Sequence, residues 1–586
     1  MMKRMLTLLC AFVALTLQAQ PLQVSHLSAT HSQIRVTGSE RYVLLPVQEG
    51  APSATMKVLV DTREEQSLSV QLAVDAVDYY VPLDVSRFAG RHILLDVVRS
   101  RPRNGEVRNG AADLCWSQMR TASAFDRTNR EAFRPTWHFS PAYGWMNDPN
   151  GLVYKDGEWH LFFQYNPYGS MWGNMTWGHA VSRDLVHWEE LPPAIWADPL
   201  GSVFSGSAVV DPTGAAGFGR DAIVAMYTSA GTNQTQSLAG STDGGRTFTK
   251  YAGNPVITAD IPDFRDPKMF FDARTGRWNV VLASGQEVRF YSSDDFRNWT
   301  YESSFGTGYG AHGGVWECPD LVKLPFEGRE KYVLIVNINP GGPFGGSATQ
   351  YFVGDYDGHR FIPDEAPEVT RWMDYGKDHY ATVTWSNAPD GRIVAIPWMS
   401  NWQYANAVPT RQFRSANGAP RDLSLVRSGG AAVLRSAPSP ELLALRGPAA
   451  KVRAGAKPAS LFASPRQAYE LVVRFTAPKR GEAAFILSNA AGEQVRCAYD
   501  AAAGTFTMDR TTTGASAFSE AFPAVTVAPT AAAGRIELRI LVDACSIEAF
   551  GPDFAMTNLV FPSAPYDTIR SDGSVRLDVT VYPLNP

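Results

Sequence analysis

Three carboxylic acids in distinct sequence contexts could together carry out acid–base chemistry. Asp148 lies in GWMNDPNGLVYK, Asp266 in FRDPKMFF and Glu317 in GVWECPDLV. Two carboxyl groups that flank a glycosidic bond suffice for its hydrolysis, because one attacks the anomeric carbon or activates water and the other protonates the leaving oxygen. The competing interpretation of NDPNG is a tight turn, since its Asp, Pro and Gly are spaced as a type I turn requires.

A weak internal repeat bears on this choice. A Ser-x-Asp sequence followed by an aromatic residue recurs at intervals of roughly 50 to 60 residues, the period of a propeller blade built from a four-stranded sheet. The copies are SRDLVHW (182–188), STDGGRTF (241–248), SSDDFRNW (292–299) and the degenerate GDYDGHRF (354–361). HYATVTW (379–385) reads as the inner strand of a fifth blade.

The carboxylates fall at comparable positions within this repeat. Asp148, Ser207, Asp266 and Glu317 each precede the next marker by a similar distance. If these segments are the innermost strands, the three carboxylates converge on one central axis. A structural turn alone does not predict that convergence, whereas a catalytic site does.

Electrostatics distinguishes the three acids. Glu317 would lie beside two anions and among indole rings, and both like charge and desolvation raise the pKa of a carboxyl group. Arg265 is expected to help keep the neighbouring Asp266 ionised. We therefore expect Glu317 to be the acid and Asp148 the nucleophile. Retention of configuration requires their carboxyl groups to lie about 5–5.5 Å apart, and inversion about 6.5–9.5 Å.

Five motifs occur in a characteristic order: WMNDPNG (145–151), FSGS (204–207), FRDP (264–267), ECPD (317–320) and WMSNW (398–402). With these motifs, residues from about 134 to 586 resemble glycoside hydrolase family 32, the levanases, inulinases and invertases that cleave β-fructofuranosyl bonds. LRILVDACSIEAFG (538–551) is similar to the C-terminal sandwich of that family.

The resemblance implies a role for each matching residue. Asp148 corresponds to the nucleophile, Asp266 to the transition-state stabiliser and Glu317 to the acid/base. It also implies a five-bladed propeller, no metal and no cofactor. The positions that match the fructose-binding pocket are Asn147, Gln164, Trp172, Ser205, Arg265 and Trp398.

The expected fold is all-β, in several parts. Residues 1–20 read as a signal peptide, with Lys3 and Arg4 before an apolar run that is too short to span a membrane. Cys10 leaves a lipid-anchored form open. The parts that follow are a β-rich accessory domain at 21–130, which resembles that of some gut-bacterial levanases, the catalytic propeller at 134–435, a linker at 436–455 and a C-terminal β-sandwich at 456–586.

Charge and cysteine spacing limit the kinds of partner and ligand that the sequence predicts. A formal net charge of −5 gives no electrostatic case for nucleic acid or an anionic membrane. The cysteines after the signal have no CxxC spacing, so a zinc site is not indicated. Cys497 and Cys545 could pair or stay free. Cys318 is expected to be a buried thiol on the face opposite Glu317, because side chains alternate along a strand.

The function predicted from these observations is that of a secreted, periplasmic or cell-surface retaining glycosidase. It would release fructose from levan or inulin, and from sucrose, through a covalent fructosyl-aspartate. Three alternatives stay open: an endo-acting levanase, an inverting five-bladed glycosidase acting on arabinan or xylan, and a catalytically silent fructan-binding protein. Levan or inulin preference and oligomeric state are not predicted.

Overall fold

A computed structural model describes residues 21–100 and 109–586, and the predicted signal at 1–20 lies outside them. The described chain is built of β-strands with short helical turns, and it divides after Asp126 into two compact units. The second unit is Arg127–Pro586. The helical turns are Ser86–Phe88, Gly110–Ala112, Cys115–Gln118, Pro389–Gly391, Ala405–Ala407 and Pro440–Leu445.

The described residues of the first unit form two antiparallel sheets. Its strands alternate between core and solvent, as in Ala54–Val60, where the residues at every second position are buried. The first sheet has the order Leu22–His26, His31–Val36, Ile93–Arg99, Ala54–Val60 and Arg63–Val70, and the second has the order Tyr79–Asp84, Tyr42–Val47 and Arg120–Ala122.

The second unit begins with five successive antiparallel sheets, numbered one to five here in chain order. Within each sheet the strands follow one another in chain order, from the first strand at the inner edge to the last strand at the outer edge. Sheet one is Gly144–Lys155, Glu158–Asn166, Thr176–Ser182 and Trp188–Ile195; sheet two is Ser202–Asp211, Ala222–Ala230, Gln234–Ser241 and Thr249–Lys250; sheet three is Phe264–Asp272, Arg277–Ser284, Glu287–Ser293 and Thr300–Phe305; sheet four is Val315–Phe326, Arg329–Asn339, Ala348–Tyr356 and Phe361–Pro363, with Arg371–Trp372 beside it; sheet five is Tyr380–Thr384, Val394–Trp398, Arg421–Ser428 and Ala431–Pro438.

The first strand of each sheet, called its inner strand here, packs against the inner strand of the next sheet, and the fifth packs against the first. The ring is reinforced where Phe413–Arg414 pairs in parallel with Gly144 and Trp145. The five inner strands therefore surround one axis, which is the arrangement of a β-propeller.

The sequence repeat corresponds to one recurring turn. In sheets one to four an aspartate side chain accepts a backbone N–H three or four residues ahead, between the third and fourth strands. The pairs are Asp184 with His187, Asp243 with Thr247, Asp295 with Asn298 and Asp357 with Arg360. Aspartate suits this position because its side chain can cap the turn.

Two six-stranded sheets follow the propeller and enclose one hydrophobic core. The first has the order Ala450–Val452, Asp578–Pro583, Tyr469–Thr476, Arg535–Asp543, Ser546–Phe550 and Ala555–Leu559; the second has the order Ala459–Ser460, Thr568–Ser571, Glu482–Ser488, Gln494–Asp500, Thr505–Thr512 and Val525–Pro529. The segment predicted as a linker, 436–455, includes the helical turn Pro440–Leu445 and the strand Ala450–Val452, which pairs with this sandwich.

A buried ionic cluster joins the propeller region to the sandwich. His138 lies between Asp543, 2.8 Å from its Nδ1, and Glu548, 2.9 Å from its Nε2. Arg421 on sheet five lies 2.8 Å from both Glu548 and Asp374. All five side chains have no solvent exposure. Each buried charge has an opposite partner, as burial demands.

Candidate active site

Each of the five inner strands contains a break in regular strand pairing near its N-terminal end. In each one, two consecutive residues face a single residue of the second strand, which defines a β-bulge. A bulge reorients side chains that ordinary alternation would send to opposite faces. The paired residues are 147–148, 204–205, 266–267, 318–319 and 381–382.

Asp148 is held through both carboxylate oxygens. Ser205 Oγ donates a hydrogen bond to its Oδ2 at 2.6 Å, and Asn147 Nδ2 donates to its Oδ1 at 2.8 Å. Trp145 Nε1 in turn donates to Asn147 Oδ1 at 2.7 Å, which orients the amide. The NDPNG segment is thus part of a long inner strand, Gly144–Lys155, and Asp148 faces a polar site at its bulge.

Asp266 lies close to Asp148. The backbone N–H of Cys318 donates to Asp266 Oδ2 at 2.9 Å. The thiol sulfur of Cys318 lies 3.4 Å from Asp148 Oδ2 and 3.6 Å from Asp266 Oδ2. Strand alternation predicts the Cys318 thiol on the face opposite Glu317, whereas the thiol lies beside Asp148 and Asp266. Its backbone has a φ of 42°, at the bulge, which turns the thiol towards them, although the thiol is buried as expected.

Glu317 is bonded to two donors. Arg265 Nη2 donates to its Oε1 at 2.9 Å, and the Tyr380 hydroxyl donates to its Oε2. Both contacts favour the carboxylate. Burial nevertheless raises the pKa of Glu317 above its ordinary value, and the nearby negative charge of Asp148 adds to that effect. The raised pKa suits a residue that must carry a proton, and the two donors suit the anion that remains when the proton is given up.

Arg265 serves Glu317 more directly than it serves Asp266. Its Nη1 is also engaged by Asp263 at 2.6 Å, and its Nε lies 3.9 Å from Asp266 Oδ2. Burial first, and then the charges of Glu317 and Asp148, raise the pKa of Asp266 to about 7, although Arg265 opposes the rise. Arg265 thus favours the ionised form of Asp266, as expected from the sequence, but burial and the neighbouring carboxylates outweigh that effect.

The other residues predicted to bind sugar lie at different depths. Gln164 is buried and donates to the Val203 carbonyl at 3.1 Å. Trp172 is 47% exposed, with its ring edge against Phe204. Trp398 is fully buried, and its indole nitrogen has no partner among the described residues. Asn147, Ser205 and Arg265 thus contact the carboxylates directly, whereas Trp172 and Trp398 do not bond to them.

Sequence reasoning missed Tyr380 as a member of this site. It begins the inner strand of sheet five, immediately before the bulge at 381–382. The prediction of a fifth inner strand at 379–385 could have pointed to it, because the other inner strands place polar side chains at the same level. Sequence reasoning also aligned Ser207 with the carboxylates, whereas Ser205 occupies the bulge and Ser207 accepts the Met269 N–H at 2.8 Å.

The four cysteines of the described chain are free and buried, so Cys497 and Cys545 do not pair. Within residues 21–100 and 109–586 no group of three or more His, Cys, Asp or Glu side chains is arranged to hold a metal ion. In the same residues no helix has the length and apolar character needed to cross a membrane.

An all-β propeller with carboxylates clustered at one end of its axis, followed by a sandwich, defines a glycoside hydrolase. The particular family follows from the sequence. Residues 138–438 match the glycosyl hydrolases family 32 N-terminal domain and residues 441–583 match the family 32 C-terminal domain, so the chain belongs to glycoside hydrolase family 32. Residues 28–137 match a domain of unknown function, DUF4980.

Named relatives agree with this assignment. A levanase of Bacillus subtilis (strain 168) is 43% identical over 78% of this chain and 71% of its own length. An extracellular exo-inulinase of Aspergillus awamori is 38% identical over 77% of this chain and 94% of its own. The solved structure of a β-fructofuranosidase from Schwanniomyces occidentalis, complexed with fructosyl-erythritol, superposes with a TM-score of 0.72 at 33% identity, covering 79% of this chain and 100% of that one.

Proposed function

We propose that the protein is a secreted, exo-acting β-fructofuranosidase that releases fructose from levan or inulin, and from sucrose, with retention of configuration. The observation that carries the proposal is the convergence of three carboxylates from three inner strands. Asp148 and Asp266 lie in bulges and Glu317 immediately precedes one, with the first two within 3.6 Å of one sulfur atom. The levanase and exo-inulinase relatives support the substrate class, and the second relative, an extracellular enzyme, supports secretion.

The three carboxyl groups take different roles. Asp148 attacks the anomeric carbon and forms a covalent fructosyl ester while Glu317 gives its proton to the leaving oxygen. Glu317, now anionic, removes a proton from water, and that water breaks the ester and frees Asp148. The fructosyl anomeric carbon bears two carbon substituents and so accommodates positive charge. Asp266 binds ring hydroxyls and stabilises that charge in its ionised form.

The hydrogen bonds around these acids fit their roles. Ser205 and Asn147 aim Asp148 before substrate arrives, which reduces the reorganisation that the attack requires. Arg265 and Tyr380 hold Glu317 in place and stabilise the anion it becomes after proton transfer. Gln164, Trp172 and Trp398 complete the fructose pocket in this proposal, with the exposed Trp172 at its rim.

The proposal extends to the organisation of the chain. We infer that the five sheets are the blades of a five-bladed propeller, since each contributes one inner strand with a bulge at the same level. The catalytic domain would be 134–435, the segment 436–455 its connection to the sandwich at 456–586, and 21–130 an accessory domain. Removal of residues 1–20 as a signal would place the enzyme outside the cytoplasm.

Product analysis tests the proposal. Purified enzyme is incubated with levan, inulin and sucrose, and products are separated by chromatography from the first minutes. Free fructose from the start is expected, and NMR immediately after cleavage should show the β configuration of the substrate retained. A ladder of oligomers would indicate endo action, initial inversion would favour the single-displacement alternative, and no cleavage of any fructan would refute the proposal.

A further inference from the structure

A second groove opens at the opposite end of the propeller axis. The inner strand Phe264–Asp272 carries Asp266 at the active site, and its other end, at Phe271 and Asp272, reaches this groove. At about 3.3 Å per residue the two ends of that path lie roughly 17 Å apart. The groove has a volume of about 860 Å³, within the range of sites that hold ligands of several rings.

The groove combines an exposed aromatic platform with balanced charge. Phe271 is 51% exposed and packs edge-on against Trp278, with ring centroids 5.2 Å apart. Acidic and basic side chains line the groove in equal numbers. Some neutralise one another, as Asp272 and Arg274 do at 3.0 Å. An aromatic face bordered by mutually compensated polar groups suits a neutral, hydroxyl-rich ligand rather than an ion.

An unpartnered oxygen lies at the inner end of the groove. Asp320 is fully buried, and its Oδ2 accepts hydrogen bonds from Lys268 Nζ at 2.8 Å and from the backbone and hydroxyl of Thr384 at 2.7 and 2.8 Å. Its Oδ1 has no donor within the described chain. A buried carboxylate oxygen that accepts no hydrogen bond costs free energy. A ligand hydroxyl that donates to Asp320 Oδ1 would remove this cost.

We propose that this second groove is a non-catalytic binding site for a β-fructan chain. The inference rests on the proposed function in one respect, because a fructan is the neutral polymer that the enzyme would encounter. Fructosyl rings would pack on Phe271, and hydroxyl groups would bond to the polar rim and, at the inner end, to Asp320 Oδ1. Such a site would hold the polymer on the enzyme between cleavage events.

Affinity electrophoresis of the full chain tests the groove. All proteins carry Asp148→Asn, so that the polymer in the gel is not digested, and native gels contain levan, inulin or dextran. Adding Phe271→Ala should weaken the affinity for levan or inulin, as derived from the retardation, about tenfold. The reason is that the substitution removes most of an aromatic contact surface. The matched control adds Tyr301→Ala, which removes a side chain that is 50% exposed on the same sheet but outside the groove.

Retardation reduced by Phe271→Ala and unchanged by Tyr301→Ala would support the groove. Equal retardation of the two variants, or retardation in dextran as strong as in levan and inulin, would overturn it. Fructose release by the wild-type enzyme, measured separately, decides the proposed function. Release of fructose without an effect of Phe271→Ala refutes the groove alone. Absence of release refutes the proposed activity, whereas an effect of Phe271→Ala in the gels would still support fructan binding.

Discussion

Asp148 is positioned by its own bulge and by the one beside it. Asn147 and Ser205 bond to its two oxygens from adjacent inner strands, and both donors are nearly buried. The carboxylate therefore has little freedom to rotate. This rigidity makes the side chain suited to form a bond to carbon, and it makes the residue replaceable by a close isostere without disturbing the surrounding strands.

Asp148→Asn is expected to lower fructose release by a factor of about 10⁴ or more, since an amide cannot form the covalent intermediate. The amide has nearly the same shape, so the melting temperature should change little. Activity on sucrose and calorimetry on the same preparation measure the two effects. Asp156→Asn, at a side chain that is 78% exposed, is the matched control. Activity of the Asp148 variant within tenfold of wild type would contradict the assigned role.

Tyr380→Phe should shift the pH dependence of the reaction. The Tyr380 hydroxyl donates to Glu317, which favours the carboxylate and lowers the pKa of that group. Removing the hydroxyl therefore raises the pKa of Glu317, and the acid keeps its proton to higher pH. The basic limb of kcat/KM should move to higher pH, as measured with sucrose across the full range. Tyr301→Phe should leave the limb in place, and movement towards lower pH would contradict this account.

At the scale of strands, the sequence pattern predicts most of the catalytic region and fails at the bulges. The alternating and repeated patterns indicate the sheets and the fifth inner strand at 379–385. Simple alternation, however, places Cys318 opposite Glu317, whereas the bulge at 318–319 turns its thiol to the carboxylates. A bulge depends on pairing with the neighbouring strand, which a single sequence does not reveal. The same limit explains why Ser207 was aligned with the carboxylates in place of Ser205.

Buried side chains that follow the active-site residues along the inner strands also link these strands to one another. Lys268 on sheet three pairs with Asp320 on sheet four, and Asp320 holds Thr384 on sheet five. Lys268 and Asp320 are almost entirely buried. A buried pair is costly to break because the remaining charge loses its partner. Three inner strands therefore depend on this one carboxylate.

Asp320→Asn is expected to destabilise the propeller by about 3–5 kcal/mol, because Lys268 would remain buried without its counter-charge. Thermal and urea unfolding of the full chain measure the loss. Glu330→Gln on the same sheet provides the control, since it breaks the exposed pair with Lys323, at 48% and 67% exposure, and should change stability by no more than about 1 kcal/mol. Equal shifts in the two variants would show that the buried pair has no special role.

At the scale of the whole second unit, propeller and sandwich share buried charge. His138, ahead of sheet one, contacts Asp543 and Glu548 of the sandwich, which lie some four hundred residues later in the chain. The sequence gives no local signal for such a contact. The sandwich itself was predictable, since its strands, such as Tyr469–Thr476, alternate or run continuously apolar between turns.

The cluster should make the stability of this unit depend on pH. Burial lowers the pKa of His138, but hydrogen bonds to Asp543 and Glu548 outweigh it and raise that pKa from 6.5 to about 9. Because the folded value is the higher one, the stabilisation, on the order of 3 kcal/mol, is complete below pH 6.5 and disappears as the pH rises through 9. His138→Gln should therefore lower the melting temperature most at pH 6 and least at pH 9.5, as measured by calorimetry. The control His187→Gln changes a side chain that is 57% exposed and should produce no such trend. A loss of melting temperature in the His138 variant that is constant across this pH range would contradict a charged His138.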